Sequence, residues 1–152
     1  MIRVQRDIFN IGDEINALTE ARTDIGAVVS FTGLVRDFNE GTSVTGLTLE
    51  HYPGMTEREL KKIEAEACRR WNLQDCCIIH RYGDMVPGDP IVLVITASPH
   101  RQDAFDAASF LMDWLKTKAP FWKQESDETG QSDWVKERQS DLDAARRWTP
   151  KT

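Results

Sequence analysis

The sequence lacks the features of a membrane protein and of a disulfide-stabilised secreted protein. It contains no run of about 18 apolar residues, the length that a membrane-spanning helix needs. Its first residues alternate apolar with charged side chains, so we expect no signal peptide. Only three cysteines occur (Cys68, Cys76 and Cys77), and their odd number and spacing fit neither a disulfide framework nor a zinc site. We therefore expect reduced thiols and a cytoplasmic protein.

Positive charge is also scarce. Lys and Arg total 19 against 25 Asp and Glu, a net charge of −6, which argues against a generic nucleic-acid binder. The P-loop, the G-x-G-x-x-G fingerprint, the G-x-S-x-G elbow and the H-E-x-x-H zinc motif are all absent. No repeat or linker divides the 152 residues, and a chain of this length can bury a full core. We expect one domain spanning residues 1–152.

Apolar residues at helical intervals predict four helices. They lie at 11–18, at 56–71 after the capping-box spacing of Thr56 and Glu59, at 99–118 with Ser98 as N-cap, and from Ser140 to Trp148. β-branched and apolar runs predict strands at 27–33, 44–50, 76–82 and 91–97, with a loop at 39–42 and a turn at 86–89. Segments 122–125 and 134–136 are predicted to pair around Gly130. Without a regular βαβ alternation, this pattern indicates an α+β protein.

The most informative stretch is residues 116–123, which read KTKAPFWK. Pro120 has no backbone N–H and pushes the preceding residue out of the helical region, so the helix must end near Lys118. Lys116 and Lys123 then lie on two elements that meet at a bend, and such a bend can direct two ammonium groups to one place. The alternative is that the lysines at the helix end only complement the helix dipole.

The segment SPHR at 98–101 is a second candidate for a site. His100 and Arg101 would lie in the first turn of a helix, where the dipole disfavours cations but free N–H groups bind anions such as phosphate. The alternative is that Arg101 pairs with a surface carboxylate. Arg36 follows a strand that ends near Gly33 and is a weaker candidate for an anion contact. His51 and His80 have no metal-ligand spacing, and we interpret both as structural.

Four segments together resemble the large, catalytic subunit of molybdopterin synthase, the MoaE family. They read GAVVSFTGLVR at 26–36, LTLEHYPGM at 47–55, SPHR at 98–101 and KTKAPFWK at 116–123. The resemblance implies an α+β fold with a hammerhead-type β arrangement, mixed and antiparallel strands and flanking helices. It identifies Lys116 and Lys123 as catalytic. It identifies Arg36, His100, Arg101 and Arg138 as contacts of the substrate or its phosphate.

The same resemblance implies the reaction and the partners. The family builds the dithiolene of molybdopterin into cyclic pyranopterin monophosphate, using two sulfurs from the thiocarboxylated C-terminal glycine of a small ubiquitin-like subunit. Two large subunits form a homodimer, and a small subunit at each end completes a heterotetramer. No cofactor or metal is implied. Two other interpretations are a non-catalytic docking platform for the ubiquitin-like tail and a phosphate-ester hydrolase, although no metal-ligand set or obvious nucleophile supports the second.

Overall fold

The computed structural model describes residues 1–130, 132–135 and 138–150. Within them lie ten strands and four helices. In chain order they are β1 (Ile2–Gln5), α1 (Ile11–Thr19), β2 (Ala27–Leu34), β3 (Phe38–Asn39), β4 (Thr42–Ser43), β5 (Gly46–His51), α2 (Met55–Arg70), β6 (Asp75–Arg81), β7 (Gly83–Met85), β8 (Pro90–Ser98), α3 (Arg101–Lys118), β9 (Phe121–Ser126), β10 (Ser132–Trp134) and α4 (Gln139–Arg146). None of the helices in these ranges is long and apolar enough to span a membrane.

The first sheet has the strand order β1-β6-β8-β2 and holds most of the core. β1 runs parallel to β6, and the other two pairings are antiparallel. Successive residues of β6 and β8 point to opposite faces, so Ile78 and Val94 pack with Phe110 and helices α2 and α3. Ile79 and its neighbours pack on the other face with α1. Both central strands are therefore buried on both faces, which explains their almost continuous apolar sequence.

The second sheet has the order β10-β9-β5-β7, is antiparallel throughout, and has a small apolar cluster that includes Leu47 and Met85. The chain passes from the first layer to this sheet at the end of α3. Helix α3 ends at Lys118, Ala119 is extended with φ −78° and ψ 132°, and β9 begins at Phe121. The bend predicted from Pro120 is confirmed, and so is the α+β class with mixed strand pairing and flanking helices.

Two predicted helix starts are wrong by about one turn or less. Helix α2 begins at Met55, where the Glu57 carboxylate accepts the Gly54 backbone N–H at 2.7 Å. Thr56 is instead fully buried, and its hydroxyl accepts the Tyr52 N–H at 3.1 Å. Helix α3 is capped by His100. The predicted cap, Ser98, ends strand β8, and its hydroxyl donates to the Asn72 carbonyl at 2.9 Å. Both residues that the sequence predicted as caps, Thr56 and Ser98, therefore hydrogen-bond to residues outside the helix.

Other differences concern short elements. The predicted loop at 39–42 is a tight hairpin of β3 and β4, with Glu40 and Gly41 at φ 48° and 82°. Strand β7 was not predicted, since three residues are too few to show a period. The hairpin of β9 and β10 forms around Gly130 as predicted, and Lys136 lies outside the described residues. The final helix begins at Gln139 rather than Ser140 and ends at Arg146, before Trp148.

Candidate active site

Cationic side chains from four parts of the chain act on one another near the bend at Pro120. Lys116 lies in the last turn of α3, and Lys123 lies on β9 opposite Leu49 of β5. The charges that act on the Lys116 ammonium come from Lys123, Arg138, Arg36 and the carboxylate Asp141. We call the four cationic residues, Lys116, Lys123, Arg138 and Arg36, the basic cluster. A lysine pair at the bend, predicted from sequence, therefore exists with two arginines beside it.

Lys116 is held in an environment that disfavours its charged form. The Lys116 side chain is exposed, like that of Lys118, but protein atoms surround its ammonium, and this desolvation is the largest cause of a pKa lowered from the usual 10.5. Asp141 opposes the shift, and Lys123 with the two arginines adds to it. An ammonium with a lowered pKa gives up its proton more readily, as proton-transfer chemistry requires.

Lys123 belongs to a hydrogen-bonded network that sequence analysis did not find. Its ammonium lies 3.3 Å from a Glu125 carboxylate oxygen. The Asn39 amide nitrogen lies 3.0 Å from both oxygens of that carboxylate, and the Asn39 amide oxygen accepts from Arg138 at 2.8 Å. Part of this could have been predicted, because Lys123 and Glu125 are two apart on a strand and share a face. Asn39 carried no such signal, since it is 86 residues from Glu125.

Below the bend, His80 and Phe121 form a stacked pair with ring centroids 3.7 Å apart. His80 is buried, and its Nδ1 lies 2.8 Å from the Arg81 carbonyl oxygen. Burial is the main cause that lowers the pKa of His80 from 6.5 to about 4, and the charge of Lys116 adds to the shift. The ring is therefore neutral near pH 7 and serves as packing, as the sequence interpretation held. Trp122, by contrast, is exposed and packs against Tyr52.

His100 and Arg101 do not join the basic cluster within one chain. They lie at the start of α3, and the 15 residues to Lys116 correspond to roughly 22 Å along the helix axis. Both side chains are exposed. Among the residues that the structure describes, Arg101 forms no ion pair with a carboxylate, so the surface-pairing alternative is not observed.

Two cavities lie beside the site. The larger, of about 820 Å³, is bounded by the β3–β4 hairpin, by β9 and by the start of α4, and Glu125 and Arg138 contribute to its wall. The smaller, of about 550 Å³, is an open groove in which Arg36 lies near Phe38 and Gly88. Lys116 and Lys123 line neither cavity. Asn39, Glu125 and Arg138 all line the larger cavity, and Glu125 links it to Lys123 through their contact at 3.3 Å.

The cysteines are poorly suited to sulfur chemistry. Cys76 and Cys77 are buried in β6, and burial raises the pKa of both, that of Cys77 to about 11. Cys68 is exposed, yet desolvation raises its pKa as well. All three thiols are thus protonated near pH 7, and the thiolate is the reactive form. Within the described part of the chain, no group of three or more His, Cys, Asp or Glu residues is placed to hold a metal.

Comparison with known proteins gives one consistent family. The sequence model described as MoaE protein matches residues 4–118. A molybdopterin synthase catalytic subunit from Pseudomonas aeruginosa is 57% identical over 147 residues, covering 97% of each chain. The Escherichia coli subunit of the same name is 54% identical over 140 residues, covering 92% of each.

Solved structures that resemble this chain belong to the same family. A molybdopterin biosynthesis MoaE protein from Burkholderia ambifaria superposes with a TM-score of 0.82 at 48% identity, covering 97% of each chain. Molybdopterin synthase from Staphylococcus aureus gives a TM-score of 0.81 at 31% identity, covering 88% of this chain and 96% of the other.

Proposed function

The chain belongs to the MoaE protein family, and on that premise we propose that residues 1–152 form the catalytic subunit of a cytoplasmic molybdopterin synthase. The reaction is the transfer of two sulfurs to cyclic pyranopterin monophosphate, giving the dithiolene of molybdopterin. The observation that carries the proposal is the pair Lys116 and Lys123 on either side of the Pro120 bend, inside a cluster of cations on an otherwise acidic chain.

The chemistry matches this arrangement. Attack of sulfur on the substrate side chain and opening of the cyclic phosphate place negative charge on oxygen, and fixed cations stabilise such charge in the transition state. Lys116 and Lys123 are the proposed catalytic groups, and Arg36 and Arg138 hold the phosphate or the pterin. The lowered pKa of Lys116 supports a role in proton transfer at the reacting centre.

We expect the sulfur to come from outside the chain. The three cysteines carry thiols rather than thiolates near pH 7, so none is activated as a sulfur carrier. We propose that a small ubiquitin-like subunit supplies the sulfur as a thiocarboxylate on its C-terminal glycine. The tail would enter beside the exposed Trp122 and approach the two lysines at the bend.

The position of His100 and Arg101 supports a site shared between two copies. Roughly 22 Å of helix separates them from Lys116 in the same chain, so in a homodimer they would serve the lysines of the partner copy. A small subunit on each copy completes a heterotetramer. Mixing copies that carry Lys116→Ala with copies that carry Arg101→Ala tests the shared site, because half of the sites in mixed dimers would regain both residues. If the mixture is no more active than its components, each site uses one chain.

The direct test of function measures dithiolene product from the cyclic pterin and a thiocarboxylated partner. Lys116→Ala and Lys123→Ala should each lower the rate by about 10²–10³-fold, the usual effect of removing one charge-stabilising donor. Their melting temperatures should stay near that of the unchanged protein. Lys118→Ala is the matched control, since Lys118 is exposed and its ammonium contacts only the Trp114 ring at 4.6 Å among the interactions described. Full activity in either lysine variant would refute the assignment, and binding of the partner without product would indicate a docking platform.

A further inference from the structure

Asn39 links three charged groups that are distant in sequence. It ends strand β3, directly before the left-handed Glu40 and Gly41 of the hairpin turn. Its amide nitrogen faces the Glu125 carboxylate at 3.0 Å, and its amide oxygen faces Arg138 at 2.8 Å. A carboxylate only accepts and a guanidinium only donates, so these partners are compatible with one orientation of the amide alone. Both the amide nitrogen and the amide oxygen of Asn39 are therefore hydrogen-bonded.

The neutral amide also keeps two opposite charges apart. Without it, Glu125 and Arg138 would face each other directly and could form a bidentate ion pair, which is the stronger interaction. With it, Arg138 keeps guanidinium N–H groups available for a bound anion, and the Glu125 carboxylate remains within 3.3 Å of the Lys123 ammonium. One amide thus controls the position of a proposed catalytic group and of a proposed substrate contact.

We propose that Asn39 is a positioning residue for the sulfur-transfer site, holding Glu125 against Lys123 while keeping Arg138 free to bind the substrate. This inference rests on the proposed function. It assigns to the β3–β4 hairpin a role beyond closing the wall of the 820 Å³ cavity. Asn39 itself need not touch the substrate.

Asn39→Ala should change both kinetic parameters. We expect kcat to fall by about 10- to 100-fold because Lys123 is no longer held in place, a loss typical of small displacements in a site. KM for the pterin should rise, because Arg138 is then free to pair with Glu125. A residue that only anchored the hairpin would lower the melting temperature and the active fraction, and would leave KM unchanged.

Asn39→Asp gives a second, independent readout. The new side chain has nearly the same shape, but its carboxylate would oppose that of Glu125, and two neighbouring carboxylates retain a proton more readily. Once protonated, the introduced carboxyl group would again donate to Glu125, so activity relative to the unchanged protein should rise as the pH is lowered. An Asn39→Asp profile parallel to that of the unchanged protein would contradict the proposal.

Thr45→Ala is the matched control for the hairpin. Thr45 follows the hairpin, and its hydroxyl donates to the Ser126 and Asp127 carbonyls at 3.3 and 3.0 Å without contacting the network. It should leave kcat and KM within about twofold, as surface substitutions usually do. In an Arg138→Ala background, Asn39→Ala should still lower kcat but should no longer raise KM, because the guanidinium that would pair with Glu125 is gone and the two substitutions are then not additive in KM. If the unchanged protein makes product and Asn39→Ala has the same kcat and KM as Thr45→Ala, the role of Asn39 is refuted but the proposed function stands. If the unchanged protein makes no product, the proposed function itself is refuted.

Discussion

Replacing Trp148 by Ala should detach α4 from the rest of the protein. The indole N–H donates to the Asp113 carboxylate at 2.6 Å, and the ring makes edge contacts with Phe110 and Trp71 at centroid distances of 5.8 and 5.5 Å. The Trp148 carbonyl also accepts from Arg70 at 2.6 Å. This residue therefore joins the end of α4 to both α3 and α2.

These contacts set the expected loss in the free energy of unfolding. Truncation of a buried aromatic residue to Ala costs about 3–5 kcal/mol, and because Trp148 is only half-buried we expect the lower end, about 3 kcal/mol. For a protein of this size that corresponds to a fall of roughly 6–12 °C in melting temperature. Activity should fall further than the loss of folded protein explains, because α4 carries Asp141 and follows Arg138 directly.

Thermal unfolding and product formation, measured below the melting temperature, test this reasoning together. Arg146→Ala is the control on the same helix, since its ion pair with Asp143 is exposed and should contribute no more than about 0.5 kcal/mol. If Trp148→Ala melts like Arg146→Ala, the docking argument is wrong. If it is less stable but retains full activity per folded molecule, α4 does not position the site.

Two further predictions concern His80 and the cysteines. Because the pKa of His80 falls from 6.5 to about 4 on folding, the unfolded chain takes up a proton that the folded chain excludes between these pH values. The free energy of unfolding should therefore decrease by roughly 3 kcal/mol as the pH drops through that window, and chemical denaturation of His80→Gln should lack this decrease. A variant with all three cysteines replaced by Ala or Val should be somewhat less stable and still make product; inactivity of the folded variant would indicate a persulfide relay.

Sequence predicted the features that are fixed by covalent or local chemistry. Pro120 ends a helix that reaches it from the N-terminal side, so the bend and the separation of Lys116 from Lys123 were predictable. The long amphipathic pattern of α3 and the apolar runs of β6 and β8 were equally clear, because their burial on one or two faces leaves a direct periodic signal. The resemblance to the MoaE family then gave Lys116, Lys123 and Arg138 candidate roles that the local sequence pattern did not.

What could not be predicted depends on contacts between distant segments. Ser98 has the properties of an N-cap, but it is paired with Ala27 as the last residue of β8, so the helix begins only at Arg101, after His100. Thr56 has the capping-box position, but the fold buries it against the Pro120 carbonyl, 64 residues away. The hydrogen bond between Asn39 and Arg138 spans 99 residues and has no local signature at either end.

The cations of the basic cluster repel one another, and this is itself an argument for its function. Lys123, Arg138 and Arg36 all act to lower the pKa of Lys116, and among the charged groups of the described residues Asp141 opposes them. Carboxylates only partly neutralise the cluster, since Glu125 lies 3.3 Å from the Lys123 ammonium and Asp141 acts on Lys116, against four cations. Such local conflicts are expected where a site is organised for a ligand. An anion bound at the cluster would relieve the repulsion between its cations and, by binding only the folded state, would stabilise the protein as well.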